Sequence, residues 1–225
     1  MNKLCVFCGR ELNKKNKTRD HIPSRNLFPE GTHSNKPIII KACFDCNNRF
    51  SLDEEWFRLF LVNITQDKSF TANQMFHTKI KRSIQEKPAI GKNILSKMEE
   101  VILKTDSGII LGPKTEIKID KEDWLRFFNI LDKYVKGIYY HYMKKRIEDC
   151  GYEIGHHFVK KDIFSPMLWQ ALKWNKDNET VFIYGFASIH TTQEAIISLI
   201  FYENVGFISF VSSKDKIQKI PKPYI

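Results

Sequence analysis

Four cysteines in two Cys-x-x-Cys pairs, Cys5-Val6-Phe7-Cys8 and Cys43-Phe44-Asp45-Cys46, constrain this chain more than any other feature. A Cys-x-x-Cys turn brings two sulfurs to within about 4 Å, and two such turns supply the tetrahedral set of thiolates, at about 2.3 Å from the ion, that a structural zinc site requires. The pairs stand 34 residues apart (43 − 8 − 1 = 34), so closing them around one ion folds roughly the first fifty residues into a single loop-rich module. Four sulfur ligands leave zinc no open position, so Zn2+ here is expected to be structural. It would contribute roughly 10 kcal/mol or more to a segment too short to fold on its own hydrophobic core. Cys150, alone, is expected to be a plain structural thiol.

A chain of 225 residues has room for such a module and a medium-sized domain, and the boundary falls after the aromatic stretch Trp56, Phe57, Phe60: residues 1–61 and residues 62–225. No apolar run approaches the roughly 18 residues of a membrane span, and Met1 to Lys17 lacks the apolar stretch of a secretory leader. A cytoplasmic protein without membrane contact is therefore expected, in which thiols serve as metal ligands or core residues rather than disulfides. The net charge of +10 suits a polyanionic partner, because Lys and Arg that neutralise phosphates release condensed counterions. Residues 1–60 hold 11 Lys/Arg against 7 Asp/Glu (+4) and the rest 25 against 19 (+6), so the charge by itself does not single out the module.

The periodicity predicts an α+β fold. Ser51-Leu52-Asp53-Glu54 has the form of a capping box, so a helix is expected to start there. Helices are also expected over 73–86 and 94–103, and a short strand pair over 109–119 around Gly112-Pro113. Asp120 caps the clearest helix, with Trp124, Phe127, Phe128, Leu131, Tyr134, Val135, Ile138 and Tyr142 on one stripe. Beyond Gly151, residues 181–186, 195–202 and 207–211 have the texture of a small antiparallel sheet, with a turn at 204–206. His156-His157 is expected in a loop, and His77, His141 and His190 in solvent or core.

Between the cysteine pairs lies Thr18-Arg19-Asp20-His21-Ile22-Pro23-Ser24, and Asn47-Asn48 follow the last cysteine. Hydrolysis of a phosphodiester needs oxygen ligands for a hard cation such as Mg2+ and a neutral imidazole to deprotonate water; Asp20, Asn47 and His21 offer those groups.

In these residues the chain resembles the HNH family of ββα-metal endonucleases, in the branch with a two-knuckle zinc. The resemblance runs from Cys5 to about Phe57 through CVFCG, DHIPSRNLFPE, THSNKPIIIKAC and CFDCNNRFSLDEEWF. It implies an N-terminal ββα finger whose first strand ends in the Asp-His pair and whose helix begins at the second knuckle; the periodicity puts an α+β domain of several helices and a small antiparallel sheet after it. It implies further that His21 activates water, that Asp20 and Asn47 hold a catalytic Mg2+ or Mn2+, that Asn35 orients the His21 ring, and that the substrate is nucleic acid, DNA in the first instance. Asn35 departs from the family pattern: Lys36-Pro37 follows it and seven residues separate it from Cys43, so His33 and Asn26 stand as alternatives.

Three functions remain open at this stage: an HNH endonuclease, a zinc-finger module that binds nucleic acid without cutting it, and a scaffold for protein partners dominated by the C-terminal part. A homodimer is compatible with each, and nothing in residues 62–225 names a chemistry.

Overall fold

The computed structural model describes residues 3–33, 36–86, 92–93, 96–160 and 166–218. Its first elements are two small antiparallel hairpins: β1 (Lys3–Leu4) with β2 (Glu11–Leu12), and β3 (Lys17–Ile22) with β4 (Ile38–Cys43). The chain passes from β4 straight into α1 (Phe44–Thr65), with Cys43 in an extended conformation as the residue before the first turn. The cap expected at Ser51 therefore stands eight residues earlier, at Cys43. Ser51 lies inside α1, where its hydroxyl donates to the Asn48 carbonyl at 2.8 Å. The acidic residues that made 51–54 look like a cap are committed to another helix, as described below.

After α1 come α2 (Phe70–Met75), a single π turn (Phe76–Ile80) and α3 (Lys81–Glu86), a helical run that matches the expectation over 73–86. Of the helix expected over 94–103, residues 94–95 lie outside the described residues, and over 96–103 the expectation fails. Residues Met98–Lys104 form strand β5, in which outward and half-buried side chains alternate as a pleat demands. Its partner is β6 (Ile110–Ile117), so residues 109–119 supply one strand of the pair rather than both.

Helix α4 (Lys121–Met143) starts as the sequence predicts. The Asp120 carboxylate accepts from the Asp123 amide at 2.9 Å, Asp123 accepts in return from the Asp120 amide at 3.3 Å, and Lys97 donates to both carboxylates. The C-terminal sheet has the order β7-β11-β10-β9-β8, antiparallel throughout: β7 (Glu153–Lys160), β8 (Lys173–Asn178), β9 (Phe182–Ser188), β10 (Ala195–Phe201) and β11 (Val205–Ser212). Strands β9, β10 and β11 lie where the texture puts them, whereas β7, which carries His156 and His157, was expected to be a loop. The β10–β11 reversal falls at 202–204, with Tyr202 and Glu203 at positive φ, and the Tyr202 hydroxyl donates to the Leu27 carbonyl at 2.7 Å. Short helices α5 (Pro166–Ala171) and α6 (Lys214–Ile217) complete the described chain.

One continuous cluster of buried side chains runs from Cys5 to Val211, with elements on both sides of residue 61 contributing. At its centre Phe57 of α1 packs on Phe127 of α4 at 4.7 Å and on Phe201 of β10 at 5.3 Å, and Phe127 packs on Phe207 of β11 at 5.3 Å. The Phe57–Phe201 contact is edge-to-face and the other two are tilted, and such ring contacts add to the burial of large apolar rings.

Helix α4 also lies against β3, and the two run in step. Lys133 stands opposite Asp20, and Gly137 opposite Ile22. Four residues of helix rise advance about 6 Å and two residues of strand about 6.6 Å, so the pairings hold along the contact. A Cβ on Gly137 would stand 2.4 Å from Ile22 Cγ1. Alanine is ordinarily preferred to glycine inside a helix by about 1 kcal/mol, yet Gly137→Ala is expected to destabilise the protein by about 1–3 kcal/mol through overpacking. Thermal denaturation decides this: a melting temperature lowered by several degrees is expected, and an unchanged or higher one would show that Ile22 yields without cost.

Candidate metal centre and the charge cluster beside it

The first knuckle is a tight turn between β1 and β2, held by Cys5 N donating to Arg10 O at 2.8 Å and Gly9 N donating to Cys5 O at 2.9 Å. Gly9 takes φ +73°, and a Cβ there would fall 2.3 Å from an Arg146 guanidinium nitrogen. The second knuckle is the join of β4 and α1. A main-chain bond from Val6 N to Lys41 O (3.2 Å) docks the first knuckle on β4, and one from Phe44 N to Asn16 O (2.8 Å) ties the second knuckle to the turn before β3. The sulfurs of Cys5, Cys8, Cys43 and Cys46 all lie within 4.8 Å of one another, with Cys8 and Cys43 at 3.7 Å. A tetrahedron with metal–sulfur bonds of about 2.3 Å has edges of about 3.8 Å, so the four thiols could hold a metal such as zinc. Cys5, Cys43 and Cys46 are buried and Cys8 reaches the surface. Burial pushes the Cys5 and Cys46 thiols up, and neighbouring sulfurs push Cys46 further. At Cys8 burial acts the same way, but the Arg10 backbone amide and adjacent thiols outweigh it and hold this thiol at about 7.

Strand β3 carries the Asp-His pair. Alternation along the strand turns Asp20 and Ile22 inward and leaves His21 on the other face, level with Ile39 of β4. Asp20 is only 5% exposed, and its Oδ1 accepts from Lys133 Nζ at 2.9 Å; Lys133, itself 1% exposed, also donates to Glu54 of α1. Burial drives the Glu54 carboxyl upward, against the pull of the Lys133 ammonium. The Lys133 ammonium also lies 5.2 Å from the Phe50 ring centroid. Two further atoms here are buried and have no hydrogen-bond partner among the described residues: Asp20 Oδ2 and His21 Nε2. Burial, and then the positive charge of Arg25, hold the His21 pKa below its ordinary value, which keeps the ring neutral at pH 7.

The structure thus brings the four cysteines together, places Asp20 and His21 at consecutive positions of β3 on opposite faces of the strand, and sets Asn47 half-buried in the first turn of α1. Asn35 lies outside the described residues. Of its two alternatives, Asn26 accepts from Ser24 Oγ at 2.9 Å, and His33 packs against Phe28. Sequence reasoning missed Lys133, Glu54 and the hydroxyl pair Ser24–Tyr134 at 2.8 Å. The available signal was a lysine set inside the apolar stripe of α4, between Ile130 and Gly137. It also missed that Asp53 accepts from Arg126 Nε (2.8 Å) and Asn129 Nδ2 (3.0 Å), which commits Asp53 and Glu54 to gripping α4 rather than capping α1. His156, expected in a loop, lies in a strand. In β7 its ring bridges Asp132 Oδ1 at 2.8 Å and Ser209 Oγ at 2.9 Å, but Ser209 is completely buried, so the trio pins the sheet to α4 and offers no exposed nucleophile.

Among the described residues no helix is long and apolar enough to cross a membrane. In comparisons with protein-family models, curated proteins and solved structures, nothing matches this chain.

Two outcomes test this geometry. Purified protein is expected to carry about one zinc per chain by elemental analysis and to lose it in Cys46→Ser. Strong chelation should lower the melting temperature by roughly 20–40 °C, given roughly 10 kcal/mol for a structural zinc and about 2–4 °C per kcal/mol at this chain length. Separately, Lys133→Met strands two buried carboxylates and is expected to cost about 3–5 kcal/mol at neutral pH. Glu54 has its folded pKa above the unfolded value, so its contribution to stability is complete below the unfolded pKa and is lost as pH rises through the folded one. Without Lys133 that loss deepens, so the gap in melting temperature between wild type and variant should widen from pH 5 to pH 8. A gap independent of pH would mean that charge is not what Lys133 supplies.

Proposed function

We propose that this chain is a metal-dependent endonuclease of the HNH, ββα-metal type, hydrolysing phosphodiester bonds in nucleic acid, DNA in the first instance. The observation that carries it is the succession of the β3–β4 hairpin and α1, with the cysteine cluster at its base and, on β3, a histidine that burial keeps neutral beside an aspartate with one unpartnered oxygen. In this reading the cysteine cage holds structural zinc, and Asp20 and Asn47 would hold a divalent cation, Mg2+ or Mn2+. That cation, when bound, offsets charge on the scissile phosphate and the leaving oxygen. The His21 imidazole takes a proton from water, the hydroxide so formed attacks phosphorus, and the bond to the leaving oxygen breaks as that oxygen acquires a proton. Because the ring is already neutral at pH 7, it needs no deprotonation before it can act as the base. The excess of 36 Lys/Arg over 26 Asp/Glu favours approach of the polyanionic substrate.

One observation favours a second reading, a zinc-finger module that binds nucleic acid without cutting it: Lys133 already occupies one oxygen of Asp20. A cation at Asp20 would share that carboxylate with a buried ammonium. His21→Ala separates the two. With supercoiled plasmid and Mg2+ or Mn2+, wild-type protein is expected to nick or linearise the substrate and to stop in EDTA, while His21→Ala binds equally well and cuts at least about 100-fold more slowly. If wild type and variant both bind plasmid, single strands and RNA and neither cuts, the binding reading replaces the endonuclease.

A further inference from the structure

Residues 98–118 form a hairpin in which no described side chain is buried, although it is rich in apolar residues. Ile102 is 64% exposed, and Ile109, Ile110 and Leu111 are as open. A two-stranded hairpin is marginal in water even with an apolar face covered, and contiguous exposed apolar surface marks an interaction site. Strand alternation and register put Met98, Glu100, Ile102 and Lys104 of β5 on the outward face, with Pro113 and Ile110 of β6 beside the last two.

The partner is not a polyanion. The segment carries Lys104, Lys114 and Lys118 against Glu99, Glu100, Asp106 and Glu116 (3 − 4 = −1), in a chain whose net charge is +10. The order along β5 is instead self-complementary: an acid and a base stand two residues to either side of Ile102. Neither Glu100 nor Lys104 has an ion-pair partner among the described residues, whereas the neighbouring Glu99 is paired with Lys118. A two-fold axis through Ile102 sets Glu100 of one copy against Lys104 of the other, twice, around a centre of Ile102, Pro113 and Ile110. An isologous contact of this kind closes after two copies.

We propose that the outward face of the β5–β6 hairpin is the docking surface for a second copy of this chain. Seven residues by two strands cover about 23 Å by 10 Å. That is well below the roughly 800 Å2 per partner of a standard interface, so the dimer is a weak one, with a dissociation constant on the order of tens of micromolar.

Sedimentation of the full chain from about 5 to 200 µM, a range spanning that constant, tests the proposal independently of any nuclease activity. Wild type is expected to pass from monomer to dimer across the range. Glu100→Lys and Lys104→Glu should each weaken the dimer about tenfold or more by opposing like charges, and the double exchange should restore it. Ile102→Glu should remain monomeric with an unchanged circular dichroism spectrum and melting temperature. Wild type that stays monomeric throughout overturns the proposal, as does a dimer indifferent to Ile102→Glu or to the single charge reversals. Loss of DNA binding in Ile102→Glu without self-association of wild type would assign the face to nucleic acid instead.

Discussion

Lys133 is a fully buried ammonium, and removing such a group from water costs several kcal/mol unless its partners hold it closely. Its partners are Asp20 on β3 and Glu54 on α1, so one side chain of α4 ties together the first hairpin, the first long helix and the second. The neighbouring contacts follow from that anchorage. One turn along α4 from Lys133, Gly137 leaves room for Ile22; in the other direction Arg126 and Asn129 grip Asp53; and beside it Tyr134 bonds Ser24 in the loop after β3. The aromatic centre built on Phe57 and Phe127 joins the same two helices, α1 and α4, that Lys133 and Glu54 tie together.

What could be read in the sequence was whatever a single element decides for itself. The Asp120 cap and the stripe from Trp124 to Tyr142 define α4 without reference to anything else, and four cysteines at two fixed spacings define a cage. What could not be read depended on distant partners. Ser51 to Glu54 has the residues of a cap, but the extended backbone at Cys43 had already started the helix, and the acids serve α4. Residues 94–103 read as helical in the sequence because the apolar residues there suit either period. Pairing with Ile110 to Ile117 fixes Met98 to Lys104 as a strand, and no local signal announces that pairing. His156 looked partnerless because Asp132 and Ser209 stand 24 residues before and 53 residues after it. The α+β class was legible, and so was the cysteine cluster; the Lys133 network, which joins residues up to 113 positions apart, was not.

The cage and the buried ion pair act on opposite ends of one hairpin. Cys43 pairs with Lys17 at one end of the β3–β4 ladder, and Ile38 pairs with Ile22 at the other. The sulfurs fix the first end to the β1–β2 knuckle, while Lys133 and Gly137 fix the second to α4, about 17 Å away over five residues of strand. The knuckle is held in turn from the C-terminal side: Arg146, just past α4, donates to the Val6 carbonyl at 3.2 Å and crowds the place where any residue but glycine at position 9 would carry its Cβ. His21 lies inside the second fastening, between Asp20 and Ile22, on a strand that can neither slide nor twist freely. A side chain needed in one orientation is best carried by a backbone held on both sides of it, because rigidity supplied by the scaffold does not have to be found again when a ligand binds. On this ground the residues after 61 do more than accompany the cysteine module: α4 packs directly on β3 to either side of His21, and Arg146 holds the knuckle at the far end of the same hairpin.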